Sequence, residues 1–228
     1  MKRSEINAII DSSIEFAKSM NFLLPEFAYW TPEDFRSKGS EYDEIFHNML
    51  GWDITDFGSG RFEDVGLVML TLRNGNYSDE RYVKPYAEKM LIVLEGQVTP
   101  YHYHSLKMED IINRGGGNLI VKLYNSKSPK ETLDTDVSVN MDGRTYTVPA
   151  GEEVRVRPGQ SITLHTGVFH SFWAEKGCGK VLLGEVSRVN DDYTDNNFLS
   201  EVGRFPEIEE DVPAKYMLYS EYSALGRR

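Results

Sequence analysis

The spacing of apolar positions changes its period once along this chain, near residue 60. In "SEINAIIDSSIEFAKSM", Ile6, Ile9, Ile10, Ile14, Phe16 and Ala17 recur every three or four residues, which puts one apolar stripe on a helix. Ser4 stands where an N-cap oxygen is needed. A second helix is expected in "TPEDFRSKG", with Thr31 as N-cap, Pro32 at the first helical position, Asp34 in the first turn and a stop at Gly39. A third is expected from Ser40 in "SEYDEIFHNMLGWD", ending against Gly51. His47 lies on it and reads as an ordinary surface or capping residue.

From Phe62 onward the pattern is of short β-rich segments separated by turn residues: "GLVMLTLRNG", "KMLIVLEGQVTPYHYH", "NLIVKLYNS", "VSVNMDGRTYTVPAG", "EEVRVRPGQ", "SITLHTGVFHSFWAE" and "GKVLLGEVSRVND". Their spacing is that of an antiparallel sandwich or barrel. "MDGR" is a hairpin turn with Asp-Gly at its centre. The expected architecture is mainly β, with a helical extension over residues 1–60 packed around a β-barrel domain over residues 61–228, in a single compact unit. The tail "FPEIEEDVPAKYMLYSEYSALGRR" matches neither period and is left without an element.

Composition narrows the function classes modestly. With 25 Lys and Arg against 36 Asp and Glu, the formal net charge is −11, which argues against nucleic acid or an anionic membrane as partner. The single cysteine, Cys178, lies in the turn "EKGCGK" and allows no internal disulfide, which is compatible with a reducing cytoplasm. "MKRSEINAII" lacks the apolar core of a signal peptide, and "MLIVL" is too short to span a bilayer. The chain reads as a cytoplasmic protein.

The candidate chemistry is concentrated in "GQVTPYHYHSLKMEDIINRGGG". On a strand, residues two apart share a face, so His102 and His104 project together while Tyr101 and Tyr103 project away. Two imidazoles on an inner wall are costly unless their nitrogens are used, and a divalent metal uses them well. Glu109 can fold back to the same point after "SLKM", and a fourth ligand is expected from another strand. "SITLHTGVFH" offers His165 and His170, an odd number of residues apart, so regular β geometry cannot aim both at one place. Imidazoles with a carboxylate suit Mn, Fe, Co, Ni or Zn and disfavour Ca, and the lack of a thiolate points to an open catalytic site.

Here the sequence resembles the cupin superfamily. Gly96-x5-His102-x-His104-x4-Glu109, with Gly116 six residues on, is similar to the first cupin motif, and "PGQSITLHTGVFH" to the second, with Gly167 ahead of the last ligand, His170. The resemblance implies a double-stranded β-helix, or jelly-roll, barrel. One departure is His165, which stands where the family usually has proline; it is taken as a substrate contact facing the cavity. Longer stretches, "KPYAEKMLIVLEGQVTPYHYHSLKMEDIINRGGG" and "GEVSRVNDDYTDNNF", resemble the D-lyxose isomerases of that superfamily. That resemblance implies interconversion of D-lyxose with D-xylulose and of D-mannose with D-fructose, with Mn2+ as cofactor and a homodimer as the working form. Co2+, Zn2+, Ni2+ and Fe2+ remain open as the metal.

Such an isomerase removes a proton beside a carbonyl and returns it to the neighbouring carbon, through an enediolate that a metal stabilises. The expected ligands are His102, His104, Glu109 and His170. Glu185, a carboxylate inside the apolar strand "VLLGEVS", is the expected proton shuttle, with Glu109 as a second participant. Lys107 stands between two expected ligands, where an ammonium is tolerated only if it holds or protonates a substrate oxygen. Lys89, Arg188, Asp191 and Asp195 are the candidates for binding sugar hydroxyls. "NRGGGNL" fits a turn or bulge better than a phosphate cradle, which favours a free sugar. The rival readings are a metal-dependent cupin dioxygenase, whose cavity would be mostly apolar, and a non-catalytic sugar-binding cupin, which would need neither Lys107 nor Glu185.

Overall fold

The structure, a computed structural model, describes residues 1–226. Three α-helices come first: α1 (Arg3–Ser19), α2 (Pro32–Ser37) and α3 (Asp43–His47). Fourteen strands follow: β1 (Gly51–Thr55), β2 (Leu67–Arg73), β3 (Tyr86–Val93), β4 (Thr99–His104), β5 (Glu109–Gly116), β6 (Leu119–Ser128), β7 (Glu131–Leu133), β8 (Val137–Met141), β9 (Arg144–Val148), β10 (Glu153–Val156), β11 (Ser161–Leu164), β12 (Val168–Ala174), β13 (Val181–Arg188) and β14 (Asn196–Phe198). They form an eight-stranded sheet in the order β1-β2-β3-β13-β5-β11-β8-β9 and a six-stranded sheet containing β10-β6-β12-β4-β14. All pairings between these strands are antiparallel. The two sheets close over one apolar core, the expected cupin barrel.

Inward residues of the large sheet, Leu67, Met69, Leu91, Ile111 and Leu183, pack with Leu123, Val154 and Phe172 of the smaller one. The opposite face of the large sheet is also covered. Ile6, Ile10 and Ala17 of α1 pack on Val68, Leu70, Met90, Ile92 and Leu182. Burial on both faces explains why "LVML", "MLIV" and "VLL" read as continuous apolar runs rather than alternating ones. A third cluster joins Phe35, Phe46 and Leu50 to Tyr219 and Tyr222 of the tail.

Several local expectations are met. Thr31 Oγ1 accepts from Asp34 N at 3.2 Å while Asp34 Oδ2 accepts from Thr31 N at 2.8 Å, a reciprocal cap of a kind that typically contributes about 1 kcal/mol. Asp142 and Gly143, with φ of 50° and 79°, turn the β8–β9 hairpin. Gly115 and Gly116 have positive φ beside a register shift between β5 and β13, so the glycine run is a bulge.

Others are corrected. Ser4 is not the N-cap of α1, because the helix begins at Arg3, two residues earlier than that cap would allow, and Lys2 takes the N-cap position. Its N and Oγ instead donate to Asp211 at 2.9 and 2.6 Å, tying the helix to the tail. The chain enters the large sheet at Gly51, ahead of residue 61, so β1 belongs to the barrel rather than to the helical extension. The tail is ordered by specific contacts: Arg3 ion-pairs with Glu210 and Glu221, and Tyr222 OH donates to Leu50 O at 2.7 Å. Among the described residues no helix is long and apolar enough to cross a membrane.

Candidate active site

One sheet supplies imidazoles and the other supplies charge. His102 and His104 are two residues apart on β4, and β12 places His170 directly opposite His102. All three are buried, with ligand nitrogens within 4.8 Å of one another. The large sheet faces them with Glu109, the first residue of β5, and with Glu185 of β13, which sits cross-strand from Lys89 of β3. Glu185 shares the inward face with Leu183 and lines the cavity. Glu109 lies 3.4 Å from His104 Nε2 and 3.6 Å from His170 Nε2.

The imidazole tautomers follow from the contacts. His102 Nδ1 lies 2.8 Å from Pro100 O and His170 Nδ1 lies 3.1 Å from Val168 O. A carbonyl accepts only from N–H, so both Nδ1 atoms carry the proton and both Nε2 atoms keep a lone pair. Those two Nε2 atoms are 3.0 Å apart. Burial first, and then the neighbouring imidazoles, holds His102 well below the usual imidazole range. Burial likewise outweighs the pull of Glu109 and takes His170 down to about 4. Two neutral acceptors facing each other at that distance repel unless a cation lies between them. His104 Nδ1 is buried with no hydrogen-bond partner among the described residues. The donor set of three imidazoles beside a carboxylate therefore fits a divalent metal ion.

Lys107 occupies the centre of the charged side. Its Nζ is 2.7 Å from Glu109 Oε2, donates to Glu185 Oε1 at 2.8 Å and donates to Asn190 Oδ1 at 3.0 Å. Burial works against this ammonium, but Glu109, Glu185 and Asp192 outweigh it and raise its pKa. The same pairing, against the opposing effect of burial, keeps Glu109 well below the usual carboxylate range. Lys89 Nζ donates to Asn190 Oδ1 at 2.8 Å and to Asp192 Oδ1 at 3.2 Å, and lies 3.7 Å from Glu185. The space enclosed by these groups, its open mouth included, is about 430 Å3, with Phe57, Leu67, Met69 and Phe198 as the apolar wall.

The remaining candidates go elsewhere. His165 is exposed, with Nε2 2.8 Å from Asn140 Oδ1, because it follows β11 in a turn that leads away from the cavity. Arg188 is exposed at the end of β13, on the outward side of the alternation. Asp191 caps a turn, accepting from Tyr193 N at 3.0 Å and Thr194 Oγ1 at 2.6 Å. None of these three lines the cavity. Asp195 is buried close by, but its carboxylate is used by the main chain. It accepts from Ser105 N, Leu106 N and Lys107 N at 2.9, 2.8 and 3.0 Å and so pins the loop that carries Lys107.

Residues not singled out from sequence complete the deep end. Arg204 Nη2 donates to Asp53 Oδ2 at 2.6 Å and to Tyr219 OH at 3.0 Å, and Tyr219 OH also lies 3.0 Å from both Asp53 Oδ2 and Asp192 Oδ2. Arg204 lines the cavity, and its Nη1 is buried with no hydrogen-bond partner among the described residues. "NDDYTDNN" is an irregular polar run, and nothing in it says that Asp192 rather than Asp191 points inward. Arg204 and Tyr219 lie in segments without any periodic signal.

The sequence profile of the D-lyxose isomerase family matches residues 1–222. The chain belongs to the D-lyxose isomerase family. It is thus a sugar isomerase, and relatives agree over nearly their full length. The D-lyxose/D-mannose isomerase of Escherichia coli O157:H7 is 48% identical over 97% of this chain and 98% of its own. That of Serratia proteamaculans is 46% identical over the same shares. Among solved structures, the L-ribose isomerases of Cellulomonas parahominis and Acinetobacter sp. DL28, each with L-ribose, have TM-scores of 0.59 and 0.61. They are 17% and 15% identical, covering 92% of this chain and 98% of theirs, a likeness of fold.

Proposed function

We propose that this member of the D-lyxose isomerase family interconverts D-lyxose with D-xylulose and D-mannose with D-fructose by moving a proton between C1 and C2. The observation that carries the reading is the position of Lys107, whose ammonium bridges Glu109 and Glu185 beside the imidazole cluster. His102, His104, His170 and Glu109 are the residues that would hold the metal, Mn2+ in our reading. When bound, the ion supplies positive charge that stabilises the enediolate.

The chain's own groups do the rest. Glu185 takes the proton from the carbon beside the carbonyl and returns it to the neighbouring carbon, with Glu109 as a second participant. Lys107 turns from its carboxylate partners to hold or protonate the oxygen on which charge develops. Lys89 and Asp192 offer a donor and an acceptor to sugar hydroxyls. Phe57 and Phe198 keep bulk water from the reacting carbons. A free sugar is favoured over a phosphosugar because Lys89, Lys107 and Arg204 are each ion-paired, leaving no unneutralised pair of cations for a phosphate.

The test is incubation of Mn2+-loaded protein with D-lyxose and with D-mannose in D2O, followed by chromatography and mass analysis of the ketose. Ketose carrying some solvent deuterium at C1 is expected, from exchange of the proton on Glu185 in part of the turnovers. No ketose from either sugar overturns the substrate assignment, and ketose and recovered aldose still free of deuterium after many turnovers at equilibrium overturn proton transfer.

A further inference from the structure

Two lysines of the cavity share one neutral acceptor. Asn190 Oδ1 accepts from Lys89 Nζ at 2.8 Å and from Lys107 Nζ at 3.0 Å. Asn190 lies beyond the end of β13 at Arg188, so no strand ladder fixes its main chain. A side chain does so instead. Asn74 Oδ1 accepts from Asn190 N at 2.9 Å, and Asn74 Nδ2 donates to Asn190 O at 2.9 Å. One carboxamide thus grips both polar atoms of one residue's main chain, as a neighbouring strand would.

Asn74 is itself locked. It is buried, its Nδ2 also donates to Asn48 O at 3.2 Å, and Asn48 Nδ2 donates to Asn74 O at 3.0 Å. The amide orientation is forced, since the flipped form would set its oxygen against two carbonyls and its NH2 against an N–H. Asn74 does not line the cavity, and no hydrogen bond joins it to either lysine.

We propose that Asn74 is a positioning residue for the isomerisation: by clamping the Asn190 main chain it fixes the oxygen that holds the Lys89 and Lys107 ammonium groups beside Glu185. The inference rests on the function proposed above. An ammonium on a four-carbon stem has no preferred site of its own, so its acceptors decide where it stands. Without the Asn190 oxygen, Lys107 is drawn wholly to Glu109 and Glu185, away from the place where a substrate oxygen must be met. Misplacement by about 1 Å from a distant change can cost on the order of a hundredfold in rate.

The experiment is a double-mutant cycle on the Mn2+-loaded enzyme with D-lyxose. Asn74→Asp keeps the size and the acceptor but loses the donor to Asn190 O. It is expected to lower kcat roughly tenfold to a hundredfold with KM and metal content little changed. In an Asn190→Ala background the same substitution is expected to cost less than about twofold, because its route to the lysines is already cut. Asn74→Ser, smaller and still able to donate and accept, is expected to recover part of kcat and carries the cycle should the aspartate variant not fold. Wild-type kcat in both Asn74 variants overturns the proposal, and so does an equal loss in the Asn190→Ala background, which would mark a general structural role. A wild-type enzyme that forms no ketose sinks the isomerase reading instead, so the two failures are distinguishable.

Discussion

His102 Nε2 and His170 Nε2 face each other at 3.0 Å across β4 and β12, with both Nδ1 protons already given to main-chain carbonyls. Neither ring can donate to the other, so the pair is an acceptor site suited to a cation. Adding Mn2+ to metal-free protein should therefore raise its melting temperature, by about 2.7 kcal/mol of stabilisation at a hundredfold excess over Kd. His170→Ala should abolish both that shift and the metal retained after dialysis, as read by elemental analysis. Retention of one ion per chain in that variant would move the ligand role elsewhere.

Glu185→Gln isolates the proton shuttle. The amide preserves shape and still accepts from Lys107, but it cannot take a proton from carbon. Turnover should fall by roughly a hundredfold or more while metal content stays at the wild-type level. Steady-state kinetics on D-lyxose with parallel metal analysis checks this; near-wild-type turnover would shift the role to Glu109.

Asp195→Ala tests how the Lys107 loop is held. The carboxylate accepts from three successive N–H groups, and its removal leaves them without that partner. A loss of about 1–3 kcal/mol in stability is expected, with a larger proportional fall in kcat than in the affinity for substrate. Unchanged melting and unchanged kcat would show that the loop is fixed by other contacts.

Legibility in the sequence divides along regularity of backbone. His102 and His104 could be placed on one face because β4 is regular, and His170 because the second motif follows β12. The inward direction of Glu185 was not legible, since α1 buries the outer face of the same sheet and erases the alternation. His165, Arg188 and Asp191 were expected at the sugar, yet turn geometry and the end of a strand carry them outward. Arg204 and Tyr219 were missed because a non-repetitive tail reveals its contacts only once it is folded against β1. Asn190 carries no signal of its own within the polar stretch "NDDYTDNNF". Its two lysine contacts depend on Asn74, more than a hundred residues away in the chain.

The buried imidazoles also make the stability of the metal-free protein depend on pH. An unfolded histidine takes up a proton near 6.5, whereas buried His170 does so only at about 4. Between those values the unfolded state binds more protons, so stability rises with pH and is lost as pH falls through that window. His170 alone would contribute roughly 3 kcal/mol across it, with His102 acting in the same direction. Glu109 and Asp192, held low by their cationic partners, keep their contribution until pH drops below the ordinary carboxylate range, so their loss comes later. Urea titrations of metal-free protein at pH 7, 6, 5 and 4.5 should give steadily falling midpoints. In His170→Ala the fall over the same range should be shallower, and an identical slope in the variant would assign the pH dependence to other groups.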